Sequence, residues 1–366
     1  MKVAIVCDWL TGIGGAERVV LELHRLYPKA PIYTSQYDPQ AIDWFKDADV
    51  RTTWLQKLPP GFKKFLPVLR AIAFGRLDLS DYDLILSSSG AEAKAVRGGP
   101  KTVHISYCHS PTHYYWIRTR EYLKSPGFGH FNWLARLGLK LFFKPMKHWD
   151  YLAAKRPDIM VANSTHTQAM IKKYYRRDSV VIHPPVDVNL FKPSKDEPRH
   201  GFVVAGRQTP YKRIDLAIEA CSKLNIPLVV IGNGPEHKRL EKMAGRSVIF
   251  LTGSSDLEMA RHFASAQAFI FPGLEDFGMV AVEAMAGGAP VIAYKGGGAL
   301  DSVIPGKSGL FFDKQNVKSL VQAINEFNSR SFDSHKIIAH AQTFSLKNFR
   351  QKMTDLINDS LVAKEE

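Results

Sequence analysis

The chain has 366 residues, of which 45% are hydrophobic and 23% charged, and its formal net charge is +14. This length exceeds one ordinary domain and fits two domains of about 150 to 200 residues each. The composition excludes a largely disordered chain, and no apolar run reaches the roughly 18 residues needed to cross a bilayer. The positive charge favours anionic partners but does not choose among nucleic acid, acidic lipid and phosphate-bearing ligands.

Cysteine usage indicates a reducing compartment. Cys7, Cys108 and Cys221 are widely spaced and form no CxxC pair, so the sequence predicts neither a disulfide framework nor a zinc site. The apolar run at the amino terminus ends at Asp8, too early for a signal peptide. We therefore expect a cytoplasmic protein whose chain opens with a buried strand.

Short β-branched runs alternate with longer helical patterns in both halves of the chain, which predicts an α/β fold with a parallel sheet covered by helices in each half. The predicted strands are Val3 to Cys7, Leu84 to Ser87, Val103 to Ser106, Ile159 to Ala162, Val180 to His183, Phe202 to Ala205, Leu228 to Ile231, Val248 to Leu251, Ala268 to Phe271 and Val291 to Ala293. A proline- and charge-rich connector after His183 predicts a domain boundary near 185 to 200.

A glycine-rich turn follows the first predicted strand. Gly12, Gly14 and Gly15 precede a helical pattern that ends before Pro28. Glycines at the start of a helix let the backbone approach a phosphate closely, so this turn is a candidate phosphate cradle. The spacing is not the full GxGxxG, and glycines also serve strand-to-helix geometry, so both interpretations stay open.

The strand predicted at Val103 leads to His109 and then to an aromatic run that ends at Trp116. Sugars stack on such rings, and a histidine can hydrogen-bond their hydroxyls or transfer a proton. A structural histidine beside a buried strand is the alternative. The Asp81-Tyr-Asp83 triplet has the composition of a metal-binding DxD, but it precedes its strand, so we interpret it as a strand start.

Cations follow the first strand of the second half. Arg207 and Lys212 come after the strand predicted at Phe202, at the carboxyl edge where open α/β sheets bind ligands. A guanidinium grips phosphate oxygens bidentately and an ammonium supplies a compact charge, a combination suited to a diphosphate. Arg213 is interpreted as a surface cation, and a solvated loop of three cations is the alternative.

Near the end of the second half, a helix is predicted to begin near Gly278. We expect the backbone amides of Phe277, Gly278 and Met279 to bind an anion or a sugar hydroxyl. Glu275 lies just before this helix, and Glu283 lies inside it among residues typical of burial. A buried carboxylate is costly without a partner, which favours a hydroxyl-rich ligand over two surface charges.

Through most of its length the sequence resembles glycosyltransferase family 4, the retaining GT-B enzymes. The resemblance rests on three motifs in this order: the Gly14-Gly15 turn, the loop from Gly206-Arg207 to Lys212, and the pair of Glu275 and Glu283. Segments such as ISYCHSPTHYYW and TPYKRIDLAIEA resemble particularly the mannosyltransferases of bacterial O-antigen and exopolysaccharide assembly. The resemblance implies two Rossmann-like domains that face an interdomain cleft.

The resemblance also implies a division of labour between the domains. Residues 1–190 are expected to bind the acceptor and residues 200–345 the nucleotide sugar. The helix 346–366 is expected to pack back on the first domain, which suits an apolar face that contains Phe349, Met353, Leu356 and Ile357.

Residue roles follow from the same resemblance. Arg207 and Lys212 hold the donor diphosphate, Glu275 positions sugar hydroxyls, Glu283 binds the ribose, and His109 lies beside the reacting sugar. The expected donor site is completed by Gly14, Gly15, Phe277, Gly278 and Met279. The reaction is expected to occur on one face of the sugar, with the leaving phosphate taking the acceptor proton. No cofactor or metal is expected, because the cations take the metal's place.

The favoured donor is GDP-mannose, with a UDP-linked sugar as the alternative, and the acceptor is a saccharide or a lipid-linked saccharide of bacterial glycan assembly. The subgroup is expected to carry arginine before its aromatic motif and an acid after it, whereas this chain has His113 and Ile117-Arg118. The acceptor therefore stays open. Basic and aromatic residues cluster at 57–70 and 136–147, which suits contact with the anionic inner face of the membrane. Solvated helix faces are the alternative.

Two other functions share some of these features. A nicotinamide-dependent oxidoreductase would use a glycine turn after the first strand, but the full fingerprint and its ribose-binding acid about 20 residues later are lacking. A nucleic-acid-binding protein is supported by charge alone, without a recognisable motif, so no nucleic acid partner is expected.

Overall fold

The computed structural model describes residues 1–58, 66–117, 119, 132–193 and 198–365, and in the helix that begins at residue 132 it describes the side chains from residue 143 onward. These residues form two compact units. One consists of Met1–His183 with Arg350–Glu366, and the other of Pro184–Phe349. The boundary between the units thus lies at the start of the proline-rich connector.

The first unit is built on a seven-stranded sheet of order β3-β2-β1-β4-β5-β6-β7, in which every described pair is parallel. Its strands are β1 (Val3–Cys7), β2 (Ile32–Thr34), β3 (Val50–Thr52), β4 (Leu84–Ser89), β5 (Val103–Cys108), β6 (Ile159–Ala162) and β7 (Val180–Val181). The order reverses between β1 and β4, and both strands are fully buried. The carboxyl ends of such central strands are where ligands of open α/β sheets bind.

Helices connect these strands. They are α1 (Gly15–Leu26), α2 (Leu66–Arg76), α3 (His113–Trp116), α4 (Asn132–Ala153) and α5 (Thr165–Tyr175). Helix α1 buries Val19, Val20 and Leu23 on one face, and it carries Glu17 in its first turn and Arg25 in its last. The charge of Arg25 complements the helix dipole, and Pro28 follows the end of the helix.

The second unit repeats the plan with a six-stranded parallel sheet of order β10-β9-β8-β11-β12-β13. Its strands are β8 (Phe202–Ala205), β9 (Leu228–Ile231), β10 (Val248–Leu251), β11 (Ala268–Phe271), β12 (Val291–Tyr294) and β13 (Gly309–Phe312). Its helices are α6 (Val188–Phe191), α7 (Ile214–Leu224), α8 (His237–Met243), α9 (Asp256–Ser265), α10 (Met279–Ala286), α11 (Ala299–Ser302), α12 (Val317–Asn328) and α13 (Ser334–Ala341).

The last helix, α14 (Leu346–Glu365), contributes its larger part to the first unit. Met353 and Ile357 are almost fully buried, and Leu356 is half-buried. Arg350 Nε lies 2.7 Å from a carboxylate oxygen of Glu22 on α1, which is itself buried. The C-terminal segment of the chain is therefore an integral part of the first unit.

The predicted parallel sheets and their covering helices are confirmed. Three strands were missed: β2 and β3 have only three residues each, and β13 begins with a glycine. The prediction of a strand from Val180 to His183 was too long, because the observed strand is Val180–Val181. Among the described residues, no helix combines the length and apolar character that crossing a membrane requires.

Candidate functional site

The loop after β8 is held in place by the neighbouring strand. The backbone N–H of Gly206 donates to the Ile231 carbonyl at 3.0 Å, and that of Gln208 donates to the Asn233 carbonyl at 2.9 Å. Arg207 lies between these anchors and is exposed to solvent. The loop therefore presents the Arg207 side chain from a constrained backbone at the carboxyl edge of the sheet.

Gln208 fastens the same loop through its side chain, a role that the sequence did not indicate. The residue is fully buried; its Nε2 donates to the Gly232 carbonyl at 2.8 Å, and its Oε1 lies 2.7 Å from His237 Nδ1. A glutamine in a polar loop has no periodicity that would mark it as buried, so only the contacts identify it.

Lys212 and Glu275, two of the predicted ligand residues, contact each other. Their Nζ and Oε1 atoms are 2.6 Å apart, and the side chains are 15% and 14% exposed. They lie in the loops that follow β8 and β11, which are adjacent parallel strands. The Glu275 carbonyl accepts a 2.9 Å hydrogen bond from the Gly298 N–H, which fixes the second loop.

Helix α10 begins where the sequence predicted. Gly278 precedes its first residue, Met279, with a φ of 86°, and a Cβ at this position would overlap the Phe271 ring. Phe277, just before, is almost fully buried. Glu283 lies in the helix and is 7% exposed, as its apolar sequence neighbours indicated. The second unit thus places Lys212, Glu275 and the N-terminus of α10 after the carboxyl ends of neighbouring strands, with Glu283 buried inside the helix.

His109 follows β5 in the first unit and is partly exposed. Its Nε2 lies 2.7 Å from Ser88 Oγ on the adjacent strand β4, and its ring lies 5.3 Å from the Tyr107 ring. The histidine therefore has a defined orientation at the carboxyl edge of the sheet.

Gly14 and Gly15 occupy the start of α1, with Gly14 in an extended conformation before the helix. A Cβ at Gly14 would lie 2.8 Å from Glu17 Oε2, so the Glu17 carboxylate folds back over the glycine turn. Burial raises the pKa of Glu17 to about 7, and the nearby Asp8 charge adds to this effect.

Asp8 connects β1 to the loop after β4. Its carboxylate is 8% exposed and accepts hydrogen bonds from the backbone N–H groups of Gly90, Ala91 and Ala93, at 2.7, 3.0 and 2.7 Å. In the sequence, Asp8 is marked only as the residue that ends an apolar run. A carboxylate directly after a buried strand was the signal that could have identified this role.

A buried ion pair fixes the aromatic segment that follows His109. Lys94 Nζ lies 2.7 Å from Asp150 Oδ1, and neither side chain is more than 1% exposed. Asp150 also accepts hydrogen bonds from Thr112 Oγ1, Trp116 Nε1 and Tyr175 O–H at 2.8, 2.6 and 2.9 Å. These bonds satisfy the buried charges, and they hold Thr112 and Trp116, the two ends of the segment 112–116, in place.

The described residues contain no group of three or more histidine, cysteine, aspartate or glutamate side chains arranged to hold a metal ion. Asp83, from the triplet that precedes β4, instead accepts a 2.6 Å hydrogen bond from the Lys2 backbone N–H. This contact agrees with the interpretation of the triplet as a strand start.

Comparison with known families matches both units. A family model described as Glycosyltransferase Family 4 matches residues 13–190, and one described as Glycosyl transferases group 1 matches residues 186–344. The protein belongs to glycosyltransferase family 4. Its two units, each built on a parallel sheet, are those of the GT-B fold.

Over the aligned residues, curated relatives are between a quarter and a third identical to this family 4 member. A GDP-mannose-dependent alpha-(1-6)-phosphatidylinositol monomannoside mannosyltransferase of Mycolicibacterium smegmatis is 28% identical over 200 residues, covering 46% of this chain and 52% of the relative. A D-inositol 3-phosphate glycosyltransferase of Mycobacterium leprae is 30% identical over 222 residues, covering 52% of each chain. The chain thus spans about half the length of these relatives.

Solved structures extend the likeness to the whole chain. Anabaena HepE in complex with UDP superposes with a TM-score of 0.71 at 19% identity, covering 98% of this chain and 100% of that one. A sucrose-phosphate synthase from Thermosynechococcus elongatus gives a TM-score of 0.73 at 18% identity, covering 99% and 100%. At these identities the likeness establishes the fold.

Proposed function

We propose that this family 4 member is a retaining glycosyltransferase that moves a hexose from a nucleotide sugar to a saccharide or lipid-linked acceptor. The observation that carries the proposal is the contact between Lys212 and Glu275, 2.6 Å apart at the carboxyl edge of the second sheet. A cation suits a diphosphate, and a carboxylate beside it suits the hydroxyls of the attached sugar.

The second unit is proposed to bind the donor. Arg207 and Lys212 hold the diphosphate, Glu275 accepts hydrogen bonds from the sugar, and Glu283 binds the ribose. The first-turn amides of α10 add donors for an oxyanion or a hydroxyl. GDP-mannose is the favoured donor, supported by the printed specificity of the Mycolicibacterium relative. A UDP-sugar is the alternative, supported by the UDP complex of the structurally similar HepE.

We propose that the reaction occurs on one face of the sugar. The bond between the anomeric carbon and the diphosphate oxygen breaks while the acceptor oxygen bonds to the same face of that carbon. The acceptor proton passes to the leaving phosphate. Arg207 and Lys212 stabilise the negative charge that develops on the diphosphate, and this stabilisation is the main contribution to the rate. The two cations take the place of the metal ion that other transferases use. His109 hydrogen-bonds the reacting sugar.

The first unit is proposed to bind the acceptor at the inner face of the cell membrane. This placement is supported by the basic and aromatic residues at 57–70 and 136–147, except for Arg70, which is buried and paired with Glu92. Residues 59–65, and the side chains of 136–142, lie outside the described residues. Sedimentation with anionic liposomes at low salt tests the placement, and failure to sediment would count against a lipid-linked acceptor.

A thermal-shift panel with GDP, UDP and ADP tests the proposed function. A nucleotide present at about 100 times its dissociation constant should add roughly 2.7 kcal/mol of stability. We expect a clear shift with GDP, followed by turnover of GDP-mannose. Stabilisation by UDP alone would favour a UDP-sugar donor, and the absence of any shift or any turnover of either sugar nucleotide would refute the proposal.

A further inference from the structure

An exposed tryptophan stands at the carboxyl edge of the first sheet, outside the roles assigned so far. Trp9 is the second residue after β1, and its side chain is 37% exposed. The backbone beside it is fixed, since the Leu10 N–H donates to the Gln36 carbonyl at 2.8 Å and the Leu10 carbonyl accepts from Asp38 at 2.9 Å. The backbone therefore holds Trp9 in a fixed position in which its side chain is partly exposed.

One side of the Trp9 indole is covered by Arg70 on α2. The guanidinium carbon lies over the ring, 4.5 Å from its centroid, and the arginine itself is only 7% exposed. Its Nε lies 2.7 Å from Glu92 Oε2, and Glu92 also accepts a hydrogen bond from the Tyr114 hydroxyl. Because the ion pair compensates the charge of Arg70, the guanidinium supports the ring and offers little free charge to an anion.

The support is tied to the strand that carries Trp9. Glu92 belongs to the loop after β4, and Asp8, the residue before Trp9, accepts hydrogen bonds from three backbone N–H groups of that loop. The loop after β4 thus holds both the end of the strand that carries Trp9, through Asp8, and the Arg70 side chain, through Glu92. A ligand that stacks on the indole loses little side-chain entropy of the protein, because the ring is already ordered.

We propose that Trp9 is a stacking surface for a sugar ring of the acceptor, an inference that rests on the proposed glycosyltransferase function. The face of an indole carries negative charge density and attracts the C–H groups of a neutral pyranose ring. The neutral support disfavours a phosphate as the group that contacts Trp9. His109, proposed to lie beside the reacting sugar, stands at the same edge of the same sheet. The inference therefore assigns the acceptor class as a saccharide.

The test compares Trp9→Ala and Trp9→Phe with Trp54→Ala. Trp54 belongs to the same unit and is 49% exposed, so its removal controls for the loss of a surface tryptophan. The probes are the methyl α-glycosides of mannose, glucose and galactose, used with GDP-mannose or UDP-glucose, whichever the wild-type protein turns over. Acceptor KM is measured by product formation, and affinity for the matching nucleoside diphosphate by calorimetry.

We expect Trp9→Ala to raise the acceptor KM about tenfold, which corresponds to about 1.4 kcal/mol. Trp9→Phe should raise it less, because a smaller aromatic face remains. Affinity for the nucleoside diphosphate should stay within about twofold of wild type in both variants, and Trp54→Ala should match wild type. This separation shows that the loss concerns the acceptor and not the folding of the unit.

Other outcomes overturn the inference. An unchanged acceptor KM in Trp9→Ala refutes the stacking role, as does a parallel loss of nucleotide affinity. A further outcome is a wild-type enzyme that hydrolyses the donor without transferring the sugar to any glycoside. If the glycosides also leave its hydrolysis rate unchanged, the enzyme has no such saccharide subsite. Loss of liposome binding with an unchanged KM would assign Trp9 to a lipid surface. By contrast, a wild-type protein that binds and turns over no nucleotide sugar refutes the proposed function itself.

Discussion

Lys212 Nζ and Glu275 Oε1 are 2.6 Å apart, so a cation proposed for the donor diphosphate and a carboxylate proposed for the donor sugar form an ion pair with each other. Both side chains are mostly buried, and each compensates a charge that would be costly alone. In the proposed enzyme the donor diphosphate binds Lys212 in competition with Glu275. Sugar hydroxyls then take the place of Lys212 as the partners of Glu275. The pair thus holds both side chains at the carboxyl edge of the sheet, where the donor is proposed to bind.

Removal of either cation tests the diphosphate assignment. Arg207→Ala and Lys212→Ala should each lower kcat by about 10²-fold or more, because each removes charge stabilisation of the leaving group. Lys223→Ala, an exposed lysine on α7, is the matched control and should keep wild-type turnover. Steady-state kinetics with far-UV spectra check the result. Near-normal activity in both Arg207→Ala and Lys212→Ala would remove the assignment.

Glu275→Gln should affect turnover more than nucleotide binding. The carboxylate is proposed to contact the transferred sugar, so its charge matters most as positive charge develops at the anomeric carbon. We expect kcat to fall about tenfold or more, with nucleoside-diphosphate affinity nearly normal in calorimetry. Glu219→Gln, an exposed carboxylate on α7, is the control. A loss of nucleotide affinity without a loss of kcat would contradict the role.

Glu283→Ala should show the opposite signature. A ribose contact exists with or without the sugar, so the variant should raise the donor KM and weaken binding of the free nucleoside diphosphate, while kcat at saturating donor falls less. Donor-saturation kinetics and calorimetry measure the two effects. If Glu283→Ala loses only kcat while Glu275→Gln loses nucleotide affinity, the proposed donor orientation is reversed.

Gly278→Ala should destabilise the second unit more than Gly253→Ala. Both glycines have positive φ, 86° and 73°, so alanine is strained at each, by about 1 to 2 kcal/mol. A Cβ at Gly278 would also overlap the Phe271 ring, whereas a Cβ at Gly253 meets no atom within 4 Å. Urea unfolding midpoints compare the two variants. Equal midpoints would show that the ring moves aside without cost.

Glu17→Gln should stabilise the protein at neutral and alkaline pH. The pKa of Glu17 is raised from 4.5 to about 7, so the folded state binds the proton more tightly than the unfolded state. The wild type therefore loses stability as pH rises between these values, and the variant does not. We expect no difference near pH 4 and a gain of about 1 to 3 kcal/mol above pH 7.

Unfolding midpoints between pH 4 and 8 check the Glu17 prediction. Glu258→Gln provides a contrast of opposite sign, because the hydrogen bonds of Ser255 lower the pKa of Glu258. That interaction stabilises the folded state above the ordinary pKa and is lost in acid, so Glu258→Gln should lower the midpoint at neutral pH. A Glu17→Gln variant with the same pH profile as wild type would contradict the prediction.

Much of the architecture was predictable, because local patterns carry it. Buried strands such as β8 appear as continuous apolar runs, and the start of α10 is marked by Gly278 before an apolar helical pattern. The three-residue strands β2 and β3 were missed since so short a segment has no distinctive periodicity. The pairing of β2 with β1 and of β3 with β2 depends on backbone hydrogen bonds that no local pattern reveals.

The sequence by itself determined the α/β class, the order of the chemical motifs and the resemblance to family 4, since these depend on residue types and on their spacing along the chain. Only the tertiary structure decided that Lys212 pairs with Glu275 and that Arg70 lies over Trp9. Each pair joins residues far apart in the chain. Adjacent parallel strands bring Lys212 and Glu275 together, and the ion pair between α2 and the loop after β4 holds Arg70 over Trp9. Such contacts follow from the packing of whole elements, which the local pattern of residues does not specify.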